Sequence, residues 1–239
     1  MNPNSAALGG LYPHLAPPGD ASAAATRLDA ALREALHAKC RDSVTVKQAF
    51  FDAHADDVIA CAHVIADSYR GGGRLYSMGN GGSSCDAAHI AVEFQHPVTA
   101  GRPALPAQNL AQDMAMLSAV GNDVGFGEVF ARQMPGLIRA GDVALGISTS
   151  GNSANVLRGL EVARGLGART LALVGGNGGA MATAAYVERC LVVPSQSIHR
   201  VQETHVAIYH VLWDLVHSLL ADHRPVQFPA EHRHVQVMS

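Results

Sequence analysis

His89 and Glu93 stand four residues apart in a segment that opens as Met78-Gly79-Asn80-Gly81-Gly82-Ser83-Ser84 and continues into an apolar-periodic run. On a helix that spacing puts an imidazole and a carboxylate on one face, suited to acid–base work or to a metal. The glycine-rich turn before them follows a short apolar run, so its amides and the helix start can converge on an anion, with Ser83 and Ser84 adding hydroxyl donors. A second turn has the same character: Gly146-Ile147-Ser148-Thr149-Ser150-Gly151-Asn152-Ser153 ends an apolar run and leads into Val156, Leu157 and Leu160. Ser148, Thr149, Ser150 and Ser153 can surround a phosphate with neutral donors, or Asn152 or Ser153 can simply cap a helix. Two turns of one type shift the balance to binding. A further pair, Gln202 and His210, lies eight residues apart in the last apolar-periodic run. Eight residues at 3.6 per turn is about 800°, roughly 80° from alignment, so the two reach one ligand only from neighbouring rows. His89, Glu93, Gln202 and His210 make a plausible ligand set for zinc, although a His/Glu pair at this spacing is also a routine helix-face contact.

The elements that must position these groups follow a strand–turn–helix grammar. Strands are expected at Arg74–Met78, Pro106–Ala111, Val143–Ser148, Thr170–Val174 and Val187–Val193, with helical patterns between them. The alternation implies an α/β fold, a parallel sheet covered on both faces, with ligands at the carboxyl ends of the strands. Before the sheet, helices are expected at Ala25–Lys39 and Val44–Tyr69, ended by Gly71-Gly72-Gly73 and available for packing or oligomerisation. The last helix is expected from His199 to Ala221. Residues 1–24, rich in Ala, Pro and Gly, read as a leader, 25–222 as a single domain, and 223–239 as a tail. Gly175-Gly176-Asn177-Gly178-Gly179 reads as a tight turn that can line the same cleft.

Composition excludes several classes. The chain has 239 residues, 48% of them hydrophobic, enough for one sizeable core. With 15% charged residues, a net charge of −3 and no Lys/Arg cluster, nucleic-acid binding is not expected. No apolar run reaches the ~20 residues of a membrane span, and the start lacks the positive segment of a signal peptide, so a cytoplasmic protein is expected. Cys40, Cys61, Cys85 and Cys190 show no paired spacing and read as free, buried thiols. The Gly79–Ser84 turn lacks the third glycine and the later acidic residue of a dinucleotide site, and no P-loop is present, so a small phosphorylated metabolite fits better than NAD or ATP.

Four stretches taken together, GNGGSSCDAAH from Gly79, VGND from Val120, GDVALGISTSGNSANV from Gly141 and RVQETHVAIYH from Arg200, closely resemble the SIS-domain sugar isomerases, and among them the phosphoheptose (sedoheptulose 7-phosphate) isomerases. The likeness runs from about Thr45 to Leu220. It implies a three-layer αβα sandwich with a five-stranded parallel sheet and a homotetramer with active sites between subunits. It also implies conversion of D-sedoheptulose 7-phosphate to D-glycero-D-manno-heptose 7-phosphate through an enediol, the first step toward a nucleotide-activated heptose. By the resemblance the phosphate lies against Ser148, Thr149, Ser150 and Ser153 with Asn80, Gly81 and Ser83 nearby. Zinc, one per subunit, falls on His89, Glu93, Gln202 and His210, Gln202 also facing substrate. An active-site Asp falls on Asp113, Glu93 is the base and His210 the acid. The chain departs from the family at His199, in place of an Asp, and at Pro97, in place of an Arg. Non-catalytic SIS proteins form the alternative class: those that bind a replication-initiator partner, which resemble the isomerases less at the four metal positions, and regulators that sense a phosphosugar without turning it over.

Overall fold

A computed structural model describes residues 21–221, with side chains from Thr26 onward; the outer parts of the expected leader and tail, 1–20 and 222–239, lie outside the described residues. The chain divides between Val44 and Thr45 into two compact units. The first consists, among described residues, of the opening half of helix α1 (Ala21–Arg70), whose Leu28, Leu32 and Leu36 are each more than half exposed. Two helices were expected here, broken near Cys40. The structure has one element instead, its only non-helical backbone at His54 (φ −124°, ψ 19°). The intervening Arg41, Asp42 and Ser43 have helix propensities within a few tenths of a kcal/mol of good formers and no Gly or Pro, so nothing there stops the helix.

The second unit carries the sheet. Its order of elements is β1 (Leu75–Gly79), α2 (Gly82–Gln95), β2 (Ala107–Asn109), α3 (Met114–Asp123), a short α4 (Met134–Leu137), β3 (Val143–Ser148), α5 (Ala154–Gly165), β4 (Arg169–Gly175), β5 (Arg189–Val193) and α6 (Ile198–Leu220). All strands are parallel in the order β2-β1-β3-β4-β5. β1 and β3 are buried along their whole length, as continuous apolar runs must be when helices cover both faces. Alternate residues serve the two faces. Leu75, Leu145, Ile147, Leu171 and Leu173 face the later part of α1, α2 and α6, where Phe50, Ile65, Phe94 and Tyr209 pack. Tyr76, Met78, Ala144, Ala172 and Val174 face the other side, where Val156, Leu160 and Met134 pack. Cys61 is buried and Cys190 half-buried, but Cys40 and Cys85 are exposed, on the outer faces of α1 and α2.

The connection order reverses between β1 and β3, and at such a switch point the two strands send their following helices to opposite faces, opening a crevice at their carboxyl ends. One glycine sets how closely α5 approaches there. A Cβ on Gly146 would come within 2.7 Å of Val156 Cγ1 and 2.9 Å of Leu160 Cδ1. Gly146→Ala is therefore expected to lower stability by about 1–3 kcal/mol through overpacking, read from the denaturation midpoint, and to displace the turn that precedes α5.

Two buried histidines give the fold an acid response. Burial holds His205 down to about 4, and His217 is held at about 4 by burial and then Arg102, with Asp214 opposing. Between about pH 4 and 6.5 the folded chain thus binds fewer protons at these sites than the unfolded chain, and stability falls as pH drops through that window. Asp86, pushed up by burial to about 6, acts in the opposite sense between about pH 4 and 6 and offsets part of the loss. His217 stacks on Phe94 and its two ring nitrogens have no hydrogen-bond partner among the described residues. His217→Leu is expected to keep neutral-pH stability and to flatten the fall in urea midpoint from pH 6.5 to 4; a curve superimposing on the parent's would remove His217 from the acid response.

Candidate active site

Both unusual turns lie at the switch point, at adjacent strand ends, since Met78 pairs with Gly146 and Gly79 with Ile147. In the first, Gly81 precedes α2 with φ 53° and ψ −124°, a conformation open to glycine almost alone. Gly79 is equally constrained, because a Cβ there would lie 2.4 Å from Ser83 O. Ser83 is buried, beneath the start of α2. In the second turn Ser153 is the N-cap of α5, yet its hydroxyl makes no cap bond and instead meets Ser148 Oγ at 2.9 Å. Ser150 Oγ lies 3.5 Å from the same Ser148 hydroxyl. Contrast decides what this means. Asp113 caps α3 by accepting from Met116 N, and Ser197 caps α6 by accepting from Arg200 N, whereas α2 and α5 carry no side-chain cap. Both helix starts that face the crevice lack a side-chain cap, as does the short α4, which leaves their amides available to an anion.

Asn155, which sequence reasoning quoted but did not single out, joins the turns. Asn80 Nδ2 donates to Asn155 Oδ1 at 2.8 Å and Asn155 Nδ2 donates back to Asn80 Oδ1 at 2.9 Å. Thr149, Ser150 and Asn152 also border a cavity of about 300 Å³ closed on its far side by Gly175, Gly176 and Asn177, so the third glycine cluster does line space beside the serine turn. Asn152 ties the two together by donating to Ser150 O and accepting from Ala180 N.

Seven residues into α2, His89 Nε2 meets Glu93 Oε1 at 3.1 Å, and His210 of α6 brings its Nε2 within 3.9 Å of the same oxygen. One ligand atom from each of His89, Glu93 and His210 lies within 4.8 Å of the others, a cluster able to hold a metal ion. Burial, then the neighbouring His89, lowers the His210 pKa, with Glu93 opposing. Gln202 is placed elsewhere. Its carboxamide rests on Gly82, where a Cβ would come within 2.0 Å of Nε2, about 12 Å back along α6 from His210 at 1.5 Å per residue. Within one chain Gln202 therefore stands by the first turn. Asp113 is exposed at the start of α3 beyond β2, and His199 is exposed in the first turn of α6. Pro97 follows the last residues of α2, which ends at Gln95, as the restriction on residues before proline requires.

Two α6 side chains overlooked in the sequence hold this cluster from behind. Tyr209 Oη lies 2.8 Å from His89 Nδ1, and Trp213 Nε1 donates to Glu93 O at 2.8 Å. Their only sequence signal was register: 209 and 213 are one turn apart beside His210. Fixing the second nitrogen of a ligating histidine orients the first. Tyr209→Phe, which keeps the ring, is expected to weaken metal binding about 10- to 100-fold, as measured by chelator competition, with the melting temperature retained.

Comparison with known proteins identifies the family. A SIS domain model matches residues 40–175. The phosphoheptose isomerase of Aquifex aeolicus (strain VF5) is 43% identical over 182 residues, covering 76% of this chain and 94% of that protein. That of Chlorobaculum tepidum is 44% identical over 181 residues, covering 74% and 86%. Among solved structures, the phosphoheptose isomerase from Neisseria gonorrhoeae superposes with a TM-score of 0.73 at 35% identity, covering 78% of this chain and 99% of that one. By sequence and by fold alike, the chain belongs to the phosphoheptose isomerases of the SIS-domain family.

Proposed function

We propose that this protein is an aldose–ketose isomerase that converts D-sedoheptulose 7-phosphate to D-glycero-D-manno-heptose 7-phosphate. One observation carries the reading beyond the family: a helix start without a side-chain cap and a His/Glu/His cluster occupy the same helix, α2, two turns apart. The seven residues from Gly82 to His89 rise about 10 Å, a separation that suits a phosphate and a reacting carbonyl at opposite ends of a long sugar and not of a triose. The phosphate is held by the uncapped starts of α2 and α5, with Ser148, Thr149, Ser150, Ser153, Asn80, Gly81 and Ser83 as donors, and Asp113 and Gln202 as further substrate contacts.

In the reaction Glu93 takes a proton from C1 of the ketose, an enediol forms across C1 and C2 as O2 gains a proton, and His210 returns a proton to C2 as O1 gives its own up to become the aldehyde oxygen. The lowered His210 pKa makes its imidazolium a ready donor. The donor set of two imidazoles and one carboxylate fits zinc, one per subunit, with an open position for substrate. Bound there, the ion would supply Lewis-acid polarisation of the sugar oxygens. Gln202, a ligand by family resemblance, could complete such a set only if brought to it from another copy, in keeping with active sites between the subunits of a homotetramer. The exposed Leu28, Leu32 and Leu36 on α1 support assembly through the N-terminal helix. No described helix is long and apolar enough to cross a membrane, and the cytoplasm is the proposed place of work.

The decisive experiment is incubation with sedoheptulose 7-phosphate and a panel of other ketose phosphates, following aldose formation. Turnover of the heptulose is expected; turnover of none would favour a phosphosugar-binding protein. Glu93→Gln and His210→Asn are each expected to lower kcat by about 10²- to 10⁴-fold with melting temperature unchanged, and parent-level turnover in either would reassign that role. Elemental analysis of protein purified without chelator is expected to find one zinc per chain.

A further inference from the structure

At the other end of the sheet, the amino-terminal ends of β1 and β3 frame a cavity of about 370 Å³ that the isomerase reading leaves unused. Its walls include Gly71-Gly72-Gly73, the run that ends α1, together with Arg74, Tyr76, Gln108, Arg139 and Asp142. A smaller recess of about 130 Å³ adjoins it, sharing Arg74, Tyr76 and Gln108. The larger volume falls within the ~300–1,000 Å³ of small-molecule sites. Gly72 and Gly136 leave open space where a side chain would stand, so a ligand can approach the backbone.

The cavity carries an excess of positive charge. Several guanidinium groups of the protein are paired, Arg70 with Asp67, Arg102 with Asp214, Arg158 with Glu128 and Glu161, and Arg169 with Glu188. Neither Arg74 nor Arg139 forms an ion pair among the described residues. The carboxylate lining the cavity, Asp142, is buried and committed to backbone: Oδ1 accepts from Arg74 N at 2.8 Å and Oδ2 from Arg139 N at 2.7 Å. It therefore fixes where the two arginines leave the chain without pairing their side chains. Both guanidinium groups act on one point, since Arg74 and Arg139 each pull down the Tyr76 phenol that burial and Asp142 push up. That phenol is itself anchored, donating to Leu137 O at 3.1 Å. Arg139 uses one amine on Ile138 O and keeps donors to spare, a guanidinium carrying five. Two cations against one carboxylate, in a concave polar site, select an anion.

We propose that this cavity is a second ligand site, binding a small phosphorylated metabolite whose phosphoryl group is held by Arg74 and Arg139. It lies a full strand length from the catalytic crevice along β1 and β3, whose register runs from Leu75↔Val143 to Gly79↔Ile147. Both sites can therefore be filled at once. The inference stands on the cavity and does not depend on which sugar the active site takes.

Equilibrium dialysis of the full chain against labelled inorganic pyrophosphate tests it. The expected result is one pyrophosphate per chain that a saturating excess of sedoheptulose 7-phosphate does not displace. Arg74→Ala/Arg139→Ala should weaken that fraction at least tenfold while leaving kcat/KM and melting temperature at parent values, both side chains being exposed. Should the sugar phosphate fail to bind, the Ser148→Ala/Ser153→Ala variant blanks the crevice instead, and the same pyrophosphate should remain. Pyrophosphate that is wholly displaced by the sugar, or wholly lost with the serine turn, or indifferent to the arginine double variant, would overturn the proposal.

Discussion

The site rests on a reciprocal carboxamide pair. Asn80 and Asn155 exchange two hydrogen bonds across the gap between β1 and β3, joining two turns that contain glycines where the backbone must bend and that would otherwise be loosely held. Asn155 is almost wholly buried, so removing Asn80 leaves a buried amide unpaired, which costs about 1–3 kcal/mol. The pair also keeps both side chains from competing for the helix-start amides. Those amides stay available because Ser153 turns to Ser148 instead of capping α5. The phosphate proposed for the crevice would supply partners to these amides and so stabilise both helix starts.

The second constraint is the parallel pairing of α2 and α6 on one face of the sheet. Gln202 meets Gly82, Tyr209 meets His89, Trp213 meets Glu93 and His217 stacks on Phe94, so contact advances along both helices in step. The far end is braced by Arg102, whose guanidinium lies 4.4 Å from the Trp213 ring centroid and pairs with Asp214. The loop after α2, which carries the Pro97 departure, is thereby fastened to α6. A cation–π contact of this kind contributes about 0.5–2 kcal/mol, and here it acts on the residue that holds the backbone of Glu93.

How far the sequence predicted this follows from the range of the forces. The strands were legible because β1, β3 and β4 are buried on both faces and read as unbroken apolar runs; β2, only three residues long and half-buried at the sheet edge, was overdrawn at Pro106–Ala111. The two turns were legible because glycine and hydroxyl residues mark them locally. The His89–Glu93 spacing was legible from helix geometry, but its meeting with His210 could be offered only as a plausible ligand set and was firmed by family resemblance, since nothing local to residue 210 encodes a contact with Glu93 on a distant helix. Tyr209 and Trp213 were missed for the same reason. On an apolar helix face a Tyr or Trp looks like core, and only the opposing helix shows that its polar tip is used. The Cys85 thiol was read as buried by residue type and proved exposed, because the face it occupies is set by register and not by hydrophobicity.

The arrangement around Glu93 bears on the two roles proposed for it, as metal ligand and as base. A single oxygen, Oε1, faces both imidazoles, at 3.1 Å from His89 and 3.9 Å from His210. A carboxylate that gives this electron pair to a cation is a weaker base through that oxygen, so a base role falls to the second oxygen or to a moment when the first is released. His210 faces the matching difficulty, being most useful as an acid when protonated and as a ligand when neutral. Burial and His89 lower its pKa, with Glu93 opposing, which favours the neutral form that the proposed ligation requires. His89 differs from both. With Nδ1 engaged by Tyr209 and Nε2 turned to Glu93, both of its nitrogens are already in contact with a neighbour, which fixes the orientation of the ring between the two helices.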